Sequence, residues 1–281
     1  MHKSLQLRTH DLVKIGFCSL CLLILYLPVF RLQVNDWINL PEYSHGFLFP
    51  PISLYLAWRG NRALGNTPAS PNNFGLVVIV VGLFLFLMGN LAGESFTKSI
   101  SFLVVLAGII LFLKGWQHLK AYSFAIALLI FTIPLPSIFM TKITFPMQLL
   151  ASRVAEQSLH LIGIPVLREG NIIHLVGETL EVAEACSGIR SMLSLLAVGT
   201  VLAYFTTRKN WQRVVMILSC FPIAIFTNAF RVSMTGVLAH YYGMKAAEGF
   251  FHGFSGAVLY FAGLIMVGGV GILLNKVRSE T

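Results

Sequence analysis

The sequence is poor in charge. Only 11% of its 281 residues are Asp, Glu, Lys or Arg, against about 25% in an ordinary soluble domain. With 56% hydrophobic residues in long apolar runs, a soluble globular enzyme is excluded and a polytopic membrane protein is implied. Acids are the scarcer sign, 11 against 20 Lys and Arg. No basic stripe with interleaved aromatics accompanies that excess, which sets nucleic acid aside. Cysteine is scarce too. Cys18 and Cys21 lie in the first apolar run and Cys220 in a later one, without metal-type spacing. Neither a disulfide scaffold nor a metal site is expected, and no cofactor is implied. The first apolar run has no small-residue cleavage site and reads as a retained anchor.

What is present is a series of apolar runs. They predict about eight transmembrane helices in a single integral membrane domain, residues 1–281, of all-α class: Ile15 to Phe30, His45 to Trp58, Phe74 to Ala92, Ser99 to Leu113, Ala121 to Phe139, Ile189 to Phe205, Val214 to Ala239 and Gly253 to Leu274. The second is broken by Pro50-Pro51, and the fifth carries Pro134 and Pro136 near its far end. Between helices five and six, residues 140–185 form a polar extracytoplasmic segment. Its first half places Leu150, Val154 and Leu161 on one stripe, as in an outer-face interfacial helix. Its second half has period-two pairs, Ile173/Leu175 and Leu180/Val182, around Gly177-Glu178, as in a short β-hairpin.

Charge orients the chain. The terminal segments and the 59–73, 114–120 and 206–213 turns hold 12 of the 20 basic residues and, among acids, only Asp11 and Glu280. The opposite connections hold six basic residues and nine acids. The positive-inside rule then places both termini in the cytoplasm.

That topology gathers chemistry on the outer face. The acidic segment ends at Cys186-Ser187-Gly188, where span six begins. A thiol at a helix N-terminus is favoured as the thiolate, although Glu184 beside it pulls the other way. Arg231 lies 18 residues after Arg213, about 27 Å along a helix and so near the outer boundary. His252 begins span eight from outside. Cys186, Asn228, Arg231 and His252 therefore converge on three consecutive helices. A cysteine nucleophile needs a leaving-group proton donor and oxyanion stabilisation. Arg231 supplies a fixed cation, and His252 can carry a proton at neutral pH. Read singly, each has a plainer explanation: Cys186 as small apolar filler, Arg231 as a snorkelling side chain, His252 as a loop histidine. Arg190, four residues after Cys186, shares its helix face and could tune the thiol or bind headgroups or substrate. His45, His160, His174 and His240 read as interfacial or solvated.

Ala185 to Ser191 (ACSGIRS), Asn228 to Ser233 (NAFRVS) and His252-Gly253 resemble the Cys, Arg and His motifs of exosortases and archaeosortases. Tyr43 to Leu48 (YSHGFL), followed by Trp58-Arg59, resembles the N-terminal motif of the same family. The resemblance covers most of the chain. It implies a membrane cysteine protease or transpeptidase acting on secreted proteins with a C-terminal sorting tail: a Pro-Glu-Pro type motif, a transmembrane helix and a basic cluster. Cys186 would form the acyl-thioester, with Arg231 and His252 sharing the proton and the oxyanion between them, and Arg190 and Asn228 contacting substrate. Water, an amine or a glycan would be the acceptor. Rival readings are a transporter, for which the spans offer few buried acids and no inverted repeat, and a lipid- or polysaccharide-handling membrane enzyme.

Overall fold

The structure is a computed structural model that describes residues 9–65, 67–182, 188–244 and 250–276, with the side chains of 9–15, 17–19 and 250–253 outside the description. Nine α-helices are described: α1 Thr9–Asn39, α2 Phe49–Leu64, α3 Phe74–Leu91, α4 Ser95–Lys114, α5 Trp116–Leu128, α6 Ser137–Leu161, α7 Ile189–Thr206, α8 Asn210–Tyr242 and α9 Phe250–Lys276. Six contain stretches long and apolar enough to span a membrane, namely α1, α3, α4, α7, α8 and α9. A seventh span results if Trp116–Thr132 and Ser137–Leu161 are taken together, although they meet at a 78° bend. The all-α polytopic class therefore holds, with six to seven spans in place of about eight. The two departures sit at prolines. The second predicted span is a 3-10 helix, Pro41–Phe47, followed by the 16-residue α2, about 24 Å long and short of the ~30 Å hydrocarbon core. The fifth breaks at the Pro134-Pro136 stretch, because proline removes a helix hydrogen bond and restricts the residue before it.

The helices group into two compact units, Met1–Pro134 and Leu135–Thr281. In the first, α3 packs along α4. Its buried residues are Gly75, Gly82 and Gly89, seven apart. A Cβ on Gly82 would stand 2.5 Å from Cγ2 of Val105, so only glycine lets the backbones approach this closely, while Leu76, Val80, Phe84 and Leu87 point outward. This is the membrane pattern: van der Waals contact between small residues replaces hydrophobic burial, because lipid is as apolar as leucine. Hydrogen bonds close several of the buried polar groups. Tyr26 and Ser101 share one at 2.9 Å, Trp37 Nε1 donates to the Thr132 carbonyl at 2.7 Å, and Ser53 Oγ donates to the Ala125 carbonyl at 2.7 Å.

The Tyr43–Leu48 motif forms a corner in this unit. Tyr43 is buried, and Gly46 lies against the Trp37 indole, 2.5 Å from where its Cβ would be. His45 is half-buried rather than solvated and hydrogen-bonds to the backbone at Phe131 and Glu42. Burial lowers its pKa, and the two backbone bonds offset that only in part.

In the second unit the interfacial segment is α6, and its packed stripe is Ala151, Ala155 and Leu159 against α8. Of the apolar stripe read from the sequence, Leu150 and Leu161 are exposed and Val154 is half-buried. The expected hairpin is present, β2 (Ile172–Leu175) with β3 (Glu178–Glu181), and Ile173 opposes Leu180. A third antiparallel strand, β1 (Val166–Glu169), extends it. Ile173, Leu175, Leu180 and Val182 pack on the small-residue face of α6 and on Val232 and Ala239 of α8. Arg168 Nε bonds Glu156 Oε2 at 2.9 Å, and Ser152 Oγ donates to the Gly170 carbonyl at 3.0 Å, so the sheet is fixed to α6. Helices α7, α8 and α9 enclose a second core of Met192, Leu195, Met216, Cys220, Ala224 and Val267. Their basic ends are tied by Gln212 Nε2 to the Leu274 carbonyl and Asn275 Nδ2 to the Thr206 carbonyl, both at 2.9 Å.

Candidate active site

The site lies at the other end of the α7–α8–α9 bundle. The chain leaves β3 at Val182, which is buried and donates its N–H to the Asn171 carbonyl at 2.9 Å. It re-enters the description at Gly188, the N-cap of α7, with φ 75° and ψ 0°. That left-handed conformation favours glycine on backbone grounds. Packing demands it independently: a Cβ at 188 would lie 2.5 Å from Cγ of Asn228. The start of α7 therefore rests directly on the Asn228 side chain of α8.

Asn228 is buried, and its Oδ1 accepts from Arg231 Nη2 at 2.8 Å. The two residues are three apart, within reach on one helix face. Arg231 is only 8% exposed, which removes the snorkelling explanation. A guanidinium taken out of water costs several kcal/mol unless polar groups surround it, and in a span such a residue is a functional candidate by default. Thr227 and Thr235, one turn to either side, are buried as well, and Thr235 Oγ1 donates to the Arg231 carbonyl at 2.9 Å.

Helix α9 approaches from the third side. A Cβ on Gly256 would stand 3.6 Å from Arg231 Nη1, so the α9 backbone passes next to the guanidinium. His252 precedes Gly256 by one helical turn on α9; its side chain lies outside the described residues. Cys186, with Ala183 to Ser187, also lies outside them. Arg190 is exposed on the first turn of α7. Among the described residues, then, Gly188, Asn228, Arg231 and Gly256 form one continuous set of contacts across α7, α8 and α9. An apolar groove of about 290 Å³ between α8 and α9, lined by Phe230, Met234, Leu238, Phe254 and Val258, flanks it.

Chemically, the arrangement places a buried cation beside the N-terminus of α7, whose helix dipole adds positive potential. Both favour negative charge developing on an oxygen nearby. Sequence reasoning selected Asn228 and Arg231 but missed the parts played by Gly188 and Gly256. Their signals were present: a glycine between an acidic strand and an apolar run, and a glycine one turn past a histidine.

Fold and site define a class: an all-helical, multi-pass membrane protein that buries a cation where one span begins. Residues 37–269 match the transmembrane exosortase family, so the chain belongs to that family. No curated protein and no solved structure gives a match. Exosortases are cysteine transpeptidases, and membership supports a membrane protease or transpeptidase role, with the bilayer and protein substrates as partners.

Proposed function

We propose that this chain cleaves the C-terminal sorting tail of secreted proteins through an acyl-thioester at Cys186. The observation that carries the reading is the contact set Gly188–Asn228–Arg231–Gly256, which supports bringing the Cys, Arg and His segments to one place. In the reaction, the Cys186 thiolate attacks the scissile carbonyl carbon and forms a C–S bond. The oxyanion is stabilised, the C–N bond breaks, and the leaving nitrogen takes a proton. Arg231 and His252 provide the positive charge and the proton. Attack by water then completes hydrolysis, and attack by an amine or glycan hydroxyl completes transfer; either regenerates the thiol. Arg190 contacts the tail through its exposed guanidinium, and Asn228 contributes through Arg231, which it holds.

The α8–α9 groove suits the apolar part of such a tail, and the anchor raises its effective concentration at the site. The basic residues Arg208, Lys209, Arg213 and Lys276 lie at the bundle end opposite the site. This supports cytoplasmic termini, an active site at the outer face of the inner membrane, and one integral domain that keeps residues 140–185 outside.

The test is tail removal from a secreted reporter carrying a Pro-Glu-Pro type motif, a transmembrane helix and a basic cluster. Wild type is expected to shorten the reporter. Cys186→Ser and Cys186→Ala are expected to abolish processing, and Arg231→Ala and His252→Ala to reduce it at least 100-fold, with membrane insertion of each variant checked. Normal processing by Cys186→Ala would overturn the assignment.

A further inference from the structure

The first unit holds a cavity of about 670 Å³ between α1, α2, α4 and α5. Its size lies within the range of specific ligand sites. Its wall is almost wholly apolar. One side is a stripe of α4, Ser99, Leu103, Leu106 and Ile110, which extends about 16 Å at 1.5 Å per residue. That is roughly half of the ~30 Å hydrocarbon core, one leaflet, the depth an acyl chain occupies.

The cavity is polar at one end. Trp37 and Thr132 both line it and are joined by the indole hydrogen bond. Gln33, one turn before Trp37 on α1, lines it too. Gln33 is 9% exposed, and its side-chain amide has no hydrogen-bond partner among the described residues. The other polar groups on the wall are satisfied: Ser99 Oγ by the Ser95 carbonyl, Ser53 by Ala125, Thr132 Oγ1 by the Leu129 carbonyl, and the Tyr122 hydroxyl by Asn61. The amide faces the cavity rather than another protein group, and in a span no bulk water reaches it. An amide N–H at the polar end of an apolar slot calls for an acceptor on an otherwise apolar ligand.

We propose that this cavity binds one acyl chain of a membrane phospholipid, with the chain along the α4 stripe and its ester carbonyl accepting from Gln33 Nε2. The geometry matches an amphiphile: one oxygen acceptor at the Gln33–Trp37 end of the cavity, and methylenes below it. Because lipid is as apolar as the wall, the chain contributes van der Waals contact along the stripe, and Gln33 supplies the polar selection and the register. This site is independent of the proposed cleavage chemistry and stands or falls separately from it.

The test uses the full-length protein, purified in mild detergent, with bound phospholipid counted by native mass spectrometry and stability followed by thermal unfolding. Dipalmitoyl phosphatidylethanolamine and its diether analogue, which lacks the ester carbonyl, are added back to delipidated protein. Wild type is expected to carry one phospholipid as purified, to lose it on full delipidation, and to be stabilised again by the added ester lipid. Leu106→Trp and Ala57→Phe, which fill the slot from different helices, are expected to lose it. Gln33→Leu is expected to weaken ester-lipid binding about five-fold and to bind ester and ether lipids alike, whereas wild type prefers the ester. Folded filling variants that keep the lipid would overturn the site, and equal wild-type affinity for both lipids would overturn the role of Gln33. If filling the slot dissociates a dimer while the lipid count stays unchanged, the occupant is a second copy and the lipid proposal fails.

Discussion

The two units solve the same problem, keeping polar atoms out of hydrocarbon, in opposite ways. In Met1–Pro134 almost every polar side chain in the interior is closed by one short bond to a nearby carbonyl or hydroxyl, as at Tyr26, Ser53 and Trp37. In Leu135–Thr281 a full positive charge is buried, and the helices are brought close around it by glycines. The first arrangement yields rigidity from inexpensive parts. The second accepts a standing desolvation cost at Arg231, which is justified only where negative charge is to be stabilised. Structural polarity is thus dispersed in one unit and concentrated in the other.

The sharpest way to break that contrast is at Arg231. Arg231→Lys keeps the charge but loses the planar fork that meets Asn228; tail removal should fall about 100-fold in the reporter assay. Asn228→Ala, which leaves the guanidinium short of an acceptor, should cost about 1–3 kcal/mol on thermal unfolding and lower processing less. Gly188→Ala comes next. It combines a left-handed φ with a 2.5 Å encounter at Asn228, and at least a ten-fold loss of processing is expected. Gly163→Ala isolates the conformational part: φ is 82° with nothing within 4 Å, so about 1 kcal/mol of stability and little activity should be lost. In the first unit, Gly82→Leu should destabilise the α3–α4 pair by about 1–3 kcal/mol, lowering the amount of protein in the membrane but not processing per molecule.

The smallest effect belongs to His45. Its folded-state pKa is held below the ordinary value of 6.5 by burial, so the folded protein binds this proton less readily than the unfolded chain. The stability it contributes is present above the ordinary histidine range and is lost as pH falls through it toward the lowered folded value. Wild type should therefore melt earlier at about pH 5.5 than at about pH 7.5, and His45→Asn should flatten that difference.

What was legible in the sequence followed from properties that add along the chain. Apolar length marked α3, α4, α7, α8 and α9, period two marked β2 and β3, and distance along a helix brought Arg231 level with the start of α7. What was misread depended on which side chains face a neighbour. Leu150 and Leu161, read as the apolar stripe of an interfacial helix, are exposed; what went unforeseen is that Ala151 and Ala155 form the face of α6 that packs within the protein. Gly75, Gly82 and Gly89 carried the same message in α3. The strand β1 escaped notice because Val166 to Glu169 reads as two apolar residues followed by two charged ones, without the alternation that marks β2 and β3. The site was legible at Asn228 and Arg231, where polarity inside a span is conspicuous, and illegible at Gly188, where a Cβ would meet Asn228 at 2.5 Å.

One hydrogen bond that holds Arg231 comes from its own helix, through Asn228. At Gly188, α7 meets that same asparagine through bare backbone, so any larger residue there would push the start of α7 away from the side chain that steadies the guanidinium.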